Sequence, residues 1–395
     1  MNGKNFNPGV CARGIVTPFI QAGDDVVSIV YQCVMEQSGG TFGHRPIVCL
    51  TEAALAMAQD NLVPLEAISK DIEAKFKGAK TLVIVDPIQS RNRILDAIKA
   101  IASTPSLEKV IIVFTYPSDE VGNRFITNLQ LIDSGLDMMN DILTEEEFIS
   151  YFGQPSHEFT GQNYIERFKE ACCGKGEIIF CNNFAKLNEY TGEDNYLVCS
   201  IHRKDETRML LERSGARCIY DLGQIMSEPV EGYPGYNAKY GLYGSNLMAG
   251  NRLKLMPNKA EQFVYDLQKK FMDEAGVHIE AAVFGDGAFK DPVGGIWELA
   301  DPEVTLAVTS GLEGQPEEVK LKYILSANEG KSKEEIQAII DEELKKRKES
   351  KDISTASSLG TTPRRKKDLI GSLSDLVIGS GNRRTPVVLI ENYLD

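Results

Sequence analysis

The chain lacks the residue clusters that identify several common metal and redox sites. Its 395 residues include only four histidines, which are scattered, and its eight cysteines form no Cys-x-x-Cys pair. A histidine-rich metal site, a zinc ribbon and a thioredoxin-type redox site are therefore not expected. Most cysteines lie in apolar, strand-like runs. We therefore expect reduced thiols that are mostly buried, with no disulfide between the adjacent Cys172 and Cys173.

Three motifs of nucleotide-binding and hydrolytic enzymes are also missing. No Gly-x-Gly-x-x-Gly follows a predicted strand, which argues against a nicotinamide or flavin site. A Gly-x-Ser-x-Gly elbow of the hydrolase type is absent as well. The string Gly330-Lys331-Ser332 resembles the end of a phosphate-binding loop, but Leu325 occupies the place of the first glycine. We interpret this string as the start of a helix.

The chain has neither an excess of positive charge nor a long apolar segment. Its formal net charge is -14, which argues against nucleic acid or an anionic membrane as the main partner. No apolar run approaches the roughly 20 residues that are needed to span a bilayer, and the N-terminus lacks the apolar core of a signal peptide. With 42% hydrophobic and 25% charged residues, the composition predicts a globular, cytoplasmic protein.

The length and the order of elements predict more than one structural unit. A chain of 395 residues is too long for one ordinary core. Residues 78–225 alternate continuous apolar strands, such as Thr81 to Val85, with helical segments. This alternation predicts a parallel sheet covered on both faces, so the fold class is α/β, with an additional α/β block beside a mixed α/β core. The predicted parts are 1–77, 78–225, 226–314, 315–356 and 357–395.

One of these parts, 315–356, is strongly charged. It contains a polar helix from Lys331 to Lys351 with little apolar face. A helix of this kind does not build a core. A lid, a linker and a dimer arm all remain open for it.

The most informative stretch is an apolar run that ends in Gly285-Asp286-Gly287, followed by Asp291 and Glu298. The only tryptophan lies in the same stretch, and Asp301 follows it. Carboxylates at the end of a strand can hold a hard cation such as Mg²⁺ beside a phosphate. The same residues also make ordinary turns, so a structural turn remains an equal alternative.

Two other polar segments are candidates for ligand binding. Gly241 to Leu247 contains Ser245 and Asn246 in a tight glycine turn, where their side chains can bond a ribose, a phosphate or a metal-bound water; an Asx-type turn is the alternative. Thr362 to Asp368 is the densest positive run and contains Arg364 and Arg365. Such a run suits an anionic small molecule, although a solvated loop is also common.

Two loops of the 78–225 block are further candidates, of second rank. They are Gln89 to Arg93 and Tyr116 to Glu120, and each follows the carboxyl end of a predicted strand. Open α/β sheets bind their ligands at this edge.

Taken in order, these strings resemble the gamma-glutamyl ligases that add L-glutamate to the deazaflavin coenzyme F420-0, and specifically a longer bacterial branch of that family. Thr51 to Gln59 is similar to the family's helix start after a strand. Gly241 to Asn246 is similar to its Ala-Gly-Ile-Asp-x-Ser-Asn segment, and Phe284-Gly285-Asp286 stands at its second metal-binding aspartate. Arg364 to Pro386 and the last strand resemble its closing segment. The similarity covers 8–61 and 225–395, and 78–225 is extra.

The resemblance implies an activity and a set of site residues. In that family GTP and two divalent cations, Mg²⁺ or Mn²⁺, activate a carboxylate as an acyl phosphate, which the amine of L-glutamate then attacks. The implied catalytic residues are Asp286, Asp291 and Arg364, and the implied metal ligands are Asp286, Asp291 and Glu298. The implied nucleotide-binding residues are Thr51, Glu52, Ser245, Asn246 and Arg365. The expected assembly is a homodimer.

The chain departs from the family pattern at three positions. Tyr243 stands where the family has its first metal aspartate, Gly287 replaces a hydroxyl residue, and Met57 replaces a lysine. Metal ligation must then be rebuilt from Asp291, Glu298 or Glu52. The sequence therefore favours a ligase that acts on a different carboxylate. A non-catalytic protein that binds a nucleotide or a metabolite on the same scaffold is the alternative.

Overall fold

The computed structural model describes residues 9–90, 93–287, 289–290, 293–298, 301–314, 319–349, 364–378 and 384–394, without the side chains of 298 and 347–349. The strands are β1 (Cys11–Ile15), β2 (Ile47–Thr51), β3 (Leu62–Pro64), β4 (Thr81–Val85), β5 (Lys109–Phe114), β6 (Leu143–Thr144), β7 (Gly176–Phe180), β8 (Asn195–Val198), β9 (Cys218–Asp221), β10 (Asn246–Met248), β11 (Arg252–Lys254), β12 (Glu280–Phe284), β13 (Phe289–Lys290), β14 (Trp297–Glu298), β15 (Thr305–Val308) and β16 (Val387–Glu391).

The helices alternate with these strands along most of the chain. They are α1 (Val26–Ser38), α2 (Glu52–Ala58), α3 (Leu65–Lys75), α4 (Leu95–Ala102), α5 (Asn128–Ser134), α6 (Glu145–Phe152), α7 (Tyr164–Ala171), α8 (Leu187–Thr191), α9 (Lys204–Ser214), α10 (Ala260–Ala275), α11 (Leu321–Ala327), α12 (Lys333–Glu349) and α13 (Lys366–Ile378). Within the described residues, none of the helices combines the length and apolarity that a bilayer crossing requires.

A mixed five-stranded sheet joins distant parts of the chain. Its order is β1-β16-β2-β12-β15, so the last strand pairs between two strands from the first fifty residues. The β2–β12 pair is parallel, and the other three pairs are antiparallel. The parallel register sets Thr51 opposite Phe284. The residues that follow these two strands therefore leave the sheet side by side, at the carboxyl ends of β2 and β12.

The second large sheet contains six strands in the order β6-β7-β5-β4-β8-β9. All its pairs are parallel except the short edge pair β6–β7. Both faces are covered, because Leu82 and Ile84 lie in one buried cluster while Val83 and Val85 lie in another. The predicted parallel sheet between covering helices is confirmed, and the fold class is mixed α/β.

The strand order of this sheet reverses between β4 and β8. The chain proceeds from β4 through β5 to β7 on one side, and then returns to place β8 and β9 on the other side of β4. In open α/β sheets, ligands bind beyond the carboxyl ends of the strands at such a reversal. The loops after β4 and β8 therefore lie where ligands bind in other sheets of this type.

The two sheets share buried contacts. One hydrophobic cluster contains Leu50 of β2 as well as Leu82 of β4. At the edge of the reversal, Tyr243 of the glycine turn donates a hydrogen bond from its hydroxyl to the carbonyl oxygen of Ser200, at 2.9 Å. The ring of Tyr243 is only 3% exposed. The predicted domain boundaries thus fall within a molecule whose two sheets are joined by apolar packing; the boundaries themselves stay predictions.

Side chains cap several helices. Asp25 caps α1 and Thr51 caps α2, each by accepting a backbone hydrogen bond from the first turn. At the start of α12, the side chains of Ser332 and Glu335 accept each other's backbone N–H groups, which confirms that the string Gly330-Lys331-Ser332 starts a helix. All eight cysteines are free. Their expected burial is wrong for Cys11 and Cys173, which are exposed.

The turn around Gly241 requires a glycine, which generates a first prediction. Gly241 has a φ of +51°, and a Cβ there would lie 2.4 Å from the carbonyl oxygen of Ile225 and 2.5 Å from that of Gly223. Gly250 also has a positive φ, +78°, but its nearest neighbour would be an Arg252 side-chain atom at 3.9 Å. We expect Gly250→Ala to cost about 1–2 kcal/mol through backbone conformation. Gly241→Ala should cost a further 1–3 kcal/mol or so through steric overlap.

Urea unfolding of the two variants beside the wild type measures this difference. Because both substitutions place alanine at a positive φ, the comparison isolates the close approach of the carbonyl groups. Equal stabilities of the two variants would show that the turn is not closely packed against residues 222–225.

Candidate active site

Residues from four separate segments meet at the end of the five-stranded sheet where β2 and β12 finish. The chain leaves β2 at Thr51 and β12 at Phe284, which are direct neighbours in the parallel register. The start of β16 reaches the same end, because the Thr51 N–H donates to the carbonyl oxygen of Pro386 at 2.9 Å. The residues after β1 arrive there too, since the Thr17 N–H donates to the carbonyl oxygen of Arg384 at 3.0 Å.

These segments surround a cavity of about 470 Å³. A volume of this order is typical of sites for small organic ligands. The cavity is lined by Thr17, Pro18, Phe19, Ile20, Thr51, Glu52, Ala53, Ala54, Met57, Asn246, Phe284, Gly285, Asp286, Asp375, Ile378, Arg384, Thr385 and Pro386.

A group of carboxylates lies at and behind the wall of this cavity. Asp286, Glu52 and Asp375 line it, and Asp301 is buried behind Asp286. The backbone N–H of Asp286 donates to Oδ2 of Asp301 at 2.8 Å, and the N–H of Gly287 donates to Oδ2 of Asp375, also at 2.8 Å. The turn that follows β12 is therefore fixed by two carboxylates from other segments.

The glycines of Gly285-Asp286-Gly287 are needed for close approach. A Cβ at Gly285 would lie 2.3 Å from Oδ2 of Asp301, and a Cβ at Gly287 would lie 2.9 Å from Oδ2 of Asp375. Neither glycine has a φ in the left-handed region. These glycines therefore do not supply a backbone conformation that only glycine adopts easily. They are needed because carboxylates approach the backbone closely at both positions.

Two basic side chains neutralise part of this negative charge from behind the wall. The guanidinium of Arg93 bonds Asp286 and also Oδ1 of Asp301, the latter at 2.8 Å. Lys254 of β11 contacts both carboxylate oxygens of Glu52, at 2.5 and 2.6 Å, and both residues are buried. Arg93 belongs to the loop after β4, so the six-stranded sheet contributes directly to the edge of the site.

The environment raises the pKa of three of the carboxyl groups. For Asp286, burial and then the nearby Asp301 raise the pKa to about 7, against the opposing effect of Arg93. Burial also raises the pKa of Glu52, which the Lys254 ammonium opposes. The pKa of Asp375 is raised by burial, and the hydrogen bond from Gly287 opposes that rise. These groups are thus held in a site where added positive charge would be favourable.

The structure brings together four of the residues that the sequence singled out. Thr51, Glu52, Asn246 and Asp286 all line the cavity. Ser245 does not: it is buried beside a separate cavity of about 30 Å³ that Arg93 and Tyr243 also line.

Neither Arg364 nor Arg365 is brought to the cavity wall. Arg364 and Arg365 are exposed, and Arg365 pairs with Asp368 in the first turn of α13, with an Nε–Oδ2 distance of 2.6 Å. Asp291 lies outside the described residues, and so does the side chain of Glu298.

Lys254 is a site residue that sequence reasoning missed, and Asp375 and Arg384 were included only as members of the segment Arg364 to Pro386. Asp375 lies within α13, where a carboxylate on a helix resembles any solvated charge, and Lys254 lies in a three-residue strand. Arg93 and Asp301 were included only as members of longer strings. No local signal marks their partners, because each contact joins segments far apart in the chain.

The cavity wall supplies oxygen atoms of the kind that bind a hard cation. The described residues hold no group of three or more His, Cys, Asp or Glu side chains arranged for a metal ion. Both oxygen atoms of Asp301 accept hydrogen bonds, Oδ1 from Arg93 and Oδ2 from the Asp286 N–H. Asp286, Asp375 and the Asn246 amide remain at the wall. Mg²⁺ commonly uses one or two carboxylates and completes its shell with water and phosphate oxygens.

The raised pKa of Asp286 predicts a pH-dependent effect of Asp286→Asn. A carboxyl group whose pKa is higher in the folded than in the unfolded state makes the folded state bind more protons, so its contribution to stability falls as pH rises. With an unfolded value of 3.8 and a folded value of about 7, this loss occurs between pH 4 and 7 or so. The stability of Asp286→Asn relative to wild type should therefore increase from pH 5 to pH 8.

Melting temperatures at pH 5 and pH 8 test the sign of this change. The variant also loses an Arg93 contact, which shifts both values but not their difference. Asp266→Asn, at an exposed position of α10, is the matched control and should show no such trend. A relative stability that falls with pH would contradict the raised pKa.

The Glu52–Lys254 pair generates a second prediction for the site. Both side chains are buried, so removing one leaves an uncompensated charge. We expect Lys254→Met to lower the free energy of unfolding by about 3–5 kcal/mol. The double variant Glu52→Gln with Lys254→Met should recover part of that loss, and urea unfolding measures both. A double variant as unstable as Lys254→Met alone would show that the cost arises from packing of the lysine stem.

Comparison with known proteins identifies the scaffold. Among curated proteins, none matches the chain. The family model described as F420-0:gamma-glutamyl ligase matches residues 14–392, which includes every segment that lines the cavity and both sheets except the first three residues of β1. The match extends over the 78–225 block as well as the core that carries the resemblance. The chain therefore belongs to the F420-0:gamma-glutamyl ligase family.

Proposed function

We propose that this protein is a nucleotide- and divalent-metal-dependent ligase that joins a carboxylate substrate to L-glutamate through an acyl phosphate. The observation that carries the proposal is the cavity at the β2–β12 edge, where Asp286, Asp375 and Asn246 meet in a chain that belongs to a gamma-glutamyl ligase family. GTP is the nucleotide that the family resemblance favours, and Mg²⁺ or Mn²⁺ is the proposed cation.

The proposed reaction has two steps. A carboxylate oxygen of the substrate attacks the terminal phosphorus of the nucleotide, and the bond to the diphosphate breaks. The amine of L-glutamate then attacks the carbonyl carbon, inorganic phosphate leaves, and the amine loses a proton. Both steps build up negative charge on phosphate oxygens, so catalysis depends on positive charge held at the right place.

The cavity residues divide naturally between these tasks. Asp286 and Asp375 would hold the cation, which lowers the barrier by spreading the charge of the transferring phosphoryl group. Arg384 also lines the cavity and carries a positive charge. Its guanidinium lies over the Phe19 ring, 5.4 Å from the ring centroid. It is placed to bind a phosphate. Phe19, Ile20, Met57 and Ile378 supply an apolar surface for the body of the carboxylate substrate.

Incorporation of labelled L-glutamate tests the proposal. The full chain is incubated with F420-0 or other carboxylates, GTP or ATP, and Mg²⁺ or Mn²⁺. We expect an amide product together with one equivalent of inorganic phosphate. Asp286→Asn should lower the rate by about 100-fold or more, because a group that stabilises transition-state charge is lost. Asp266→Asn should retain the wild-type rate. Amide formation without nucleotide consumption would contradict the proposed acyl phosphate.

A second function, binding without catalysis, is favoured by Tyr243. By the family resemblance this residue stands in the place of a metal aspartate, and in the structure it is buried with its hydroxyl bonded to the carbonyl oxygen of Ser200. Thermal stability with GTP, ATP and Mn²⁺, alone and combined, separates the two functions when read beside the labelling assay. A ligand at about 100 times its Kd adds roughly 2.7 kcal/mol. Stabilisation by a nucleotide without amide formation from any carboxylate supports the binding protein.

A homodimer and a cytoplasmic location remain predictions from the sequence and the family resemblance. Light scattering on the purified chain tests the first. A mass of twice 43.6 kDa is expected, and a monomer at micromolar concentration would overturn it.

A further inference from the structure

We propose that Arg93 is a positioning residue of the active site, through which the six-stranded sheet holds Asp286 and Asp301 and limits the centre to one divalent cation. The inference rests on the proposed function in one respect, namely that a divalent cation binds at this cavity. It adds to the proposed function a residue that lies outside the five-stranded sheet, and it states how many divalent cations bind per chain.

The first observation is the geometry of the guanidinium. Arg93 bonds Asp286 through one terminal nitrogen and Asp301 through the other. A planar guanidinium offers such a fork in a fixed arrangement, which an ammonium group does not. Asp301 in turn accepts the backbone N–H of Asp286 at 2.8 Å. The three residues therefore form a closed ring of contacts that fixes the orientation of the Asp286 carboxylate.

The second observation is which oxygen atoms this ring leaves available. Oδ2 of Asp286 is used by Arg93, and Oδ2 of Asp375 is used by the Gly287 N–H. Among the described residues, no hydrogen bond reaches Oδ1 of either group. Both residues line the cavity, whereas Arg93 and Asp301 do not. Oδ1 of Asp286 and Oδ1 of Asp375 are therefore the carboxylate oxygens that remain for a cation at the cavity that both residues line.

The third observation is the balance of charge. Glu52, Asp286, Asp301 and Asp375 carry four negative charges when ionised. Lys254, Arg93 and Arg384 supply three positive ones. One divalent cation already exceeds the single negative charge that remains. A second divalent cation would meet the guanidinium of Arg93, which already occupies the ligands that it would need.

The placement of Arg93 is a consequence of the sheet topology. Its loop follows β4, next to the point where the strand order reverses. The small cavity at that point is about 30 Å³ and is lined by Arg93, Tyr243 and Ser245. This volume admits a water molecule and is far below that of a nucleotide site. In other α/β proteins, the loops at this position of the sheet bind the ligand. In this protein the loop after β4 contacts Asp286, a residue of the candidate site at the five-stranded sheet.

Titration of the full chain with Mn²⁺, followed by the electron paramagnetic resonance of the free ion, tests the inference without any assay of activity. We expect one Mn²⁺ per wild-type chain. In Arg93→Gln a second Mn²⁺ should bind, because the positive charge next to Asp286 and Asp301 is removed. Arg93→Lys keeps the charge and should still bind one Mn²⁺, but at least about tenfold more weakly, because an ammonium group lacks the fork that orients Asp286.

Two controls make the result interpretable. Arg217→Gln removes the same charge from the same sheet at an exposed position that pairs with Asp194, and should leave the affinity for Mn²⁺ unchanged. Circular dichroism shows whether each variant is folded, and Arg93→Lys provides a milder change if Arg93→Gln unfolds. In that case a second Mn²⁺ on folded Arg93→Lys would overturn the inference, and a single one bound more weakly than in the wild type would support it.

The outcomes separate this inference from the proposed function. Two Mn²⁺ per wild-type chain, no bound Mn²⁺, a single Mn²⁺ in folded Arg93→Gln, or wild-type affinity in folded Arg93→Lys would each overturn the role of Arg93. One Mn²⁺ in the wild type and two in Arg93→Gln, in a chain that forms no amide, would overturn the ligase proposal alone.

Discussion

The parallel pairing of β2 with β12 is the constraint on which the candidate site depends. It joins the first and the last third of the chain and sets Thr51 opposite Phe284, so the residues after both strands leave the sheet at one edge. An antiparallel pair would send Glu52 and Asp286 to opposite ends of the strands. The insertion of β16 beside β2 then brings Arg384 to Pro386 to the same edge. The order and direction of the strands therefore bring the cavity residues together, and no single sequence motif contains them.

Charge compensation explains why the six-stranded sheet is part of this site and is not simply attached to it. Carboxylates that leave water lose solvation, and the loss is offset only by close opposite charge or by hydrogen bonds. Lys254 offsets it for Glu52 from within the core. For Asp286 and Asp301 the compensating charge comes from the loop after β4. The apolar cluster shared by the two sheets keeps that loop in place.

How much the sequence predicts depends on the range of the interaction concerned. Apolar runs, helix caps and the helix start at Ser332 are local, and the structure confirms them. Arg364 and Arg365 were selected because positive charges are dense there along the chain, but density along the chain does not fix position in space, and both are exposed. For Gly285, the sequence leaves a structural turn and a cation site as equal alternatives, because glycine is common in turns. Its actual neighbour, Asp301, becomes visible only when the chain is folded. The partners of Arg93 have the same long-range origin.

The energetic cost of the carboxylate group favours a ligand over an inert scaffold. The pKa of Asp286 is raised to about 7, so near neutral pH its ionised form destabilises the fold that contains it. An amide in the same place would remove that cost, and a chain without a cationic ligand would gain stability from the exchange. Binding of a cation and a phosphate reverses the balance, since both the carboxylate and the cavity then have partners. Arg93 adds one positive charge beside these carboxylates. It lowers the positive charge that the site still requires, and Asp286 still lines the cavity.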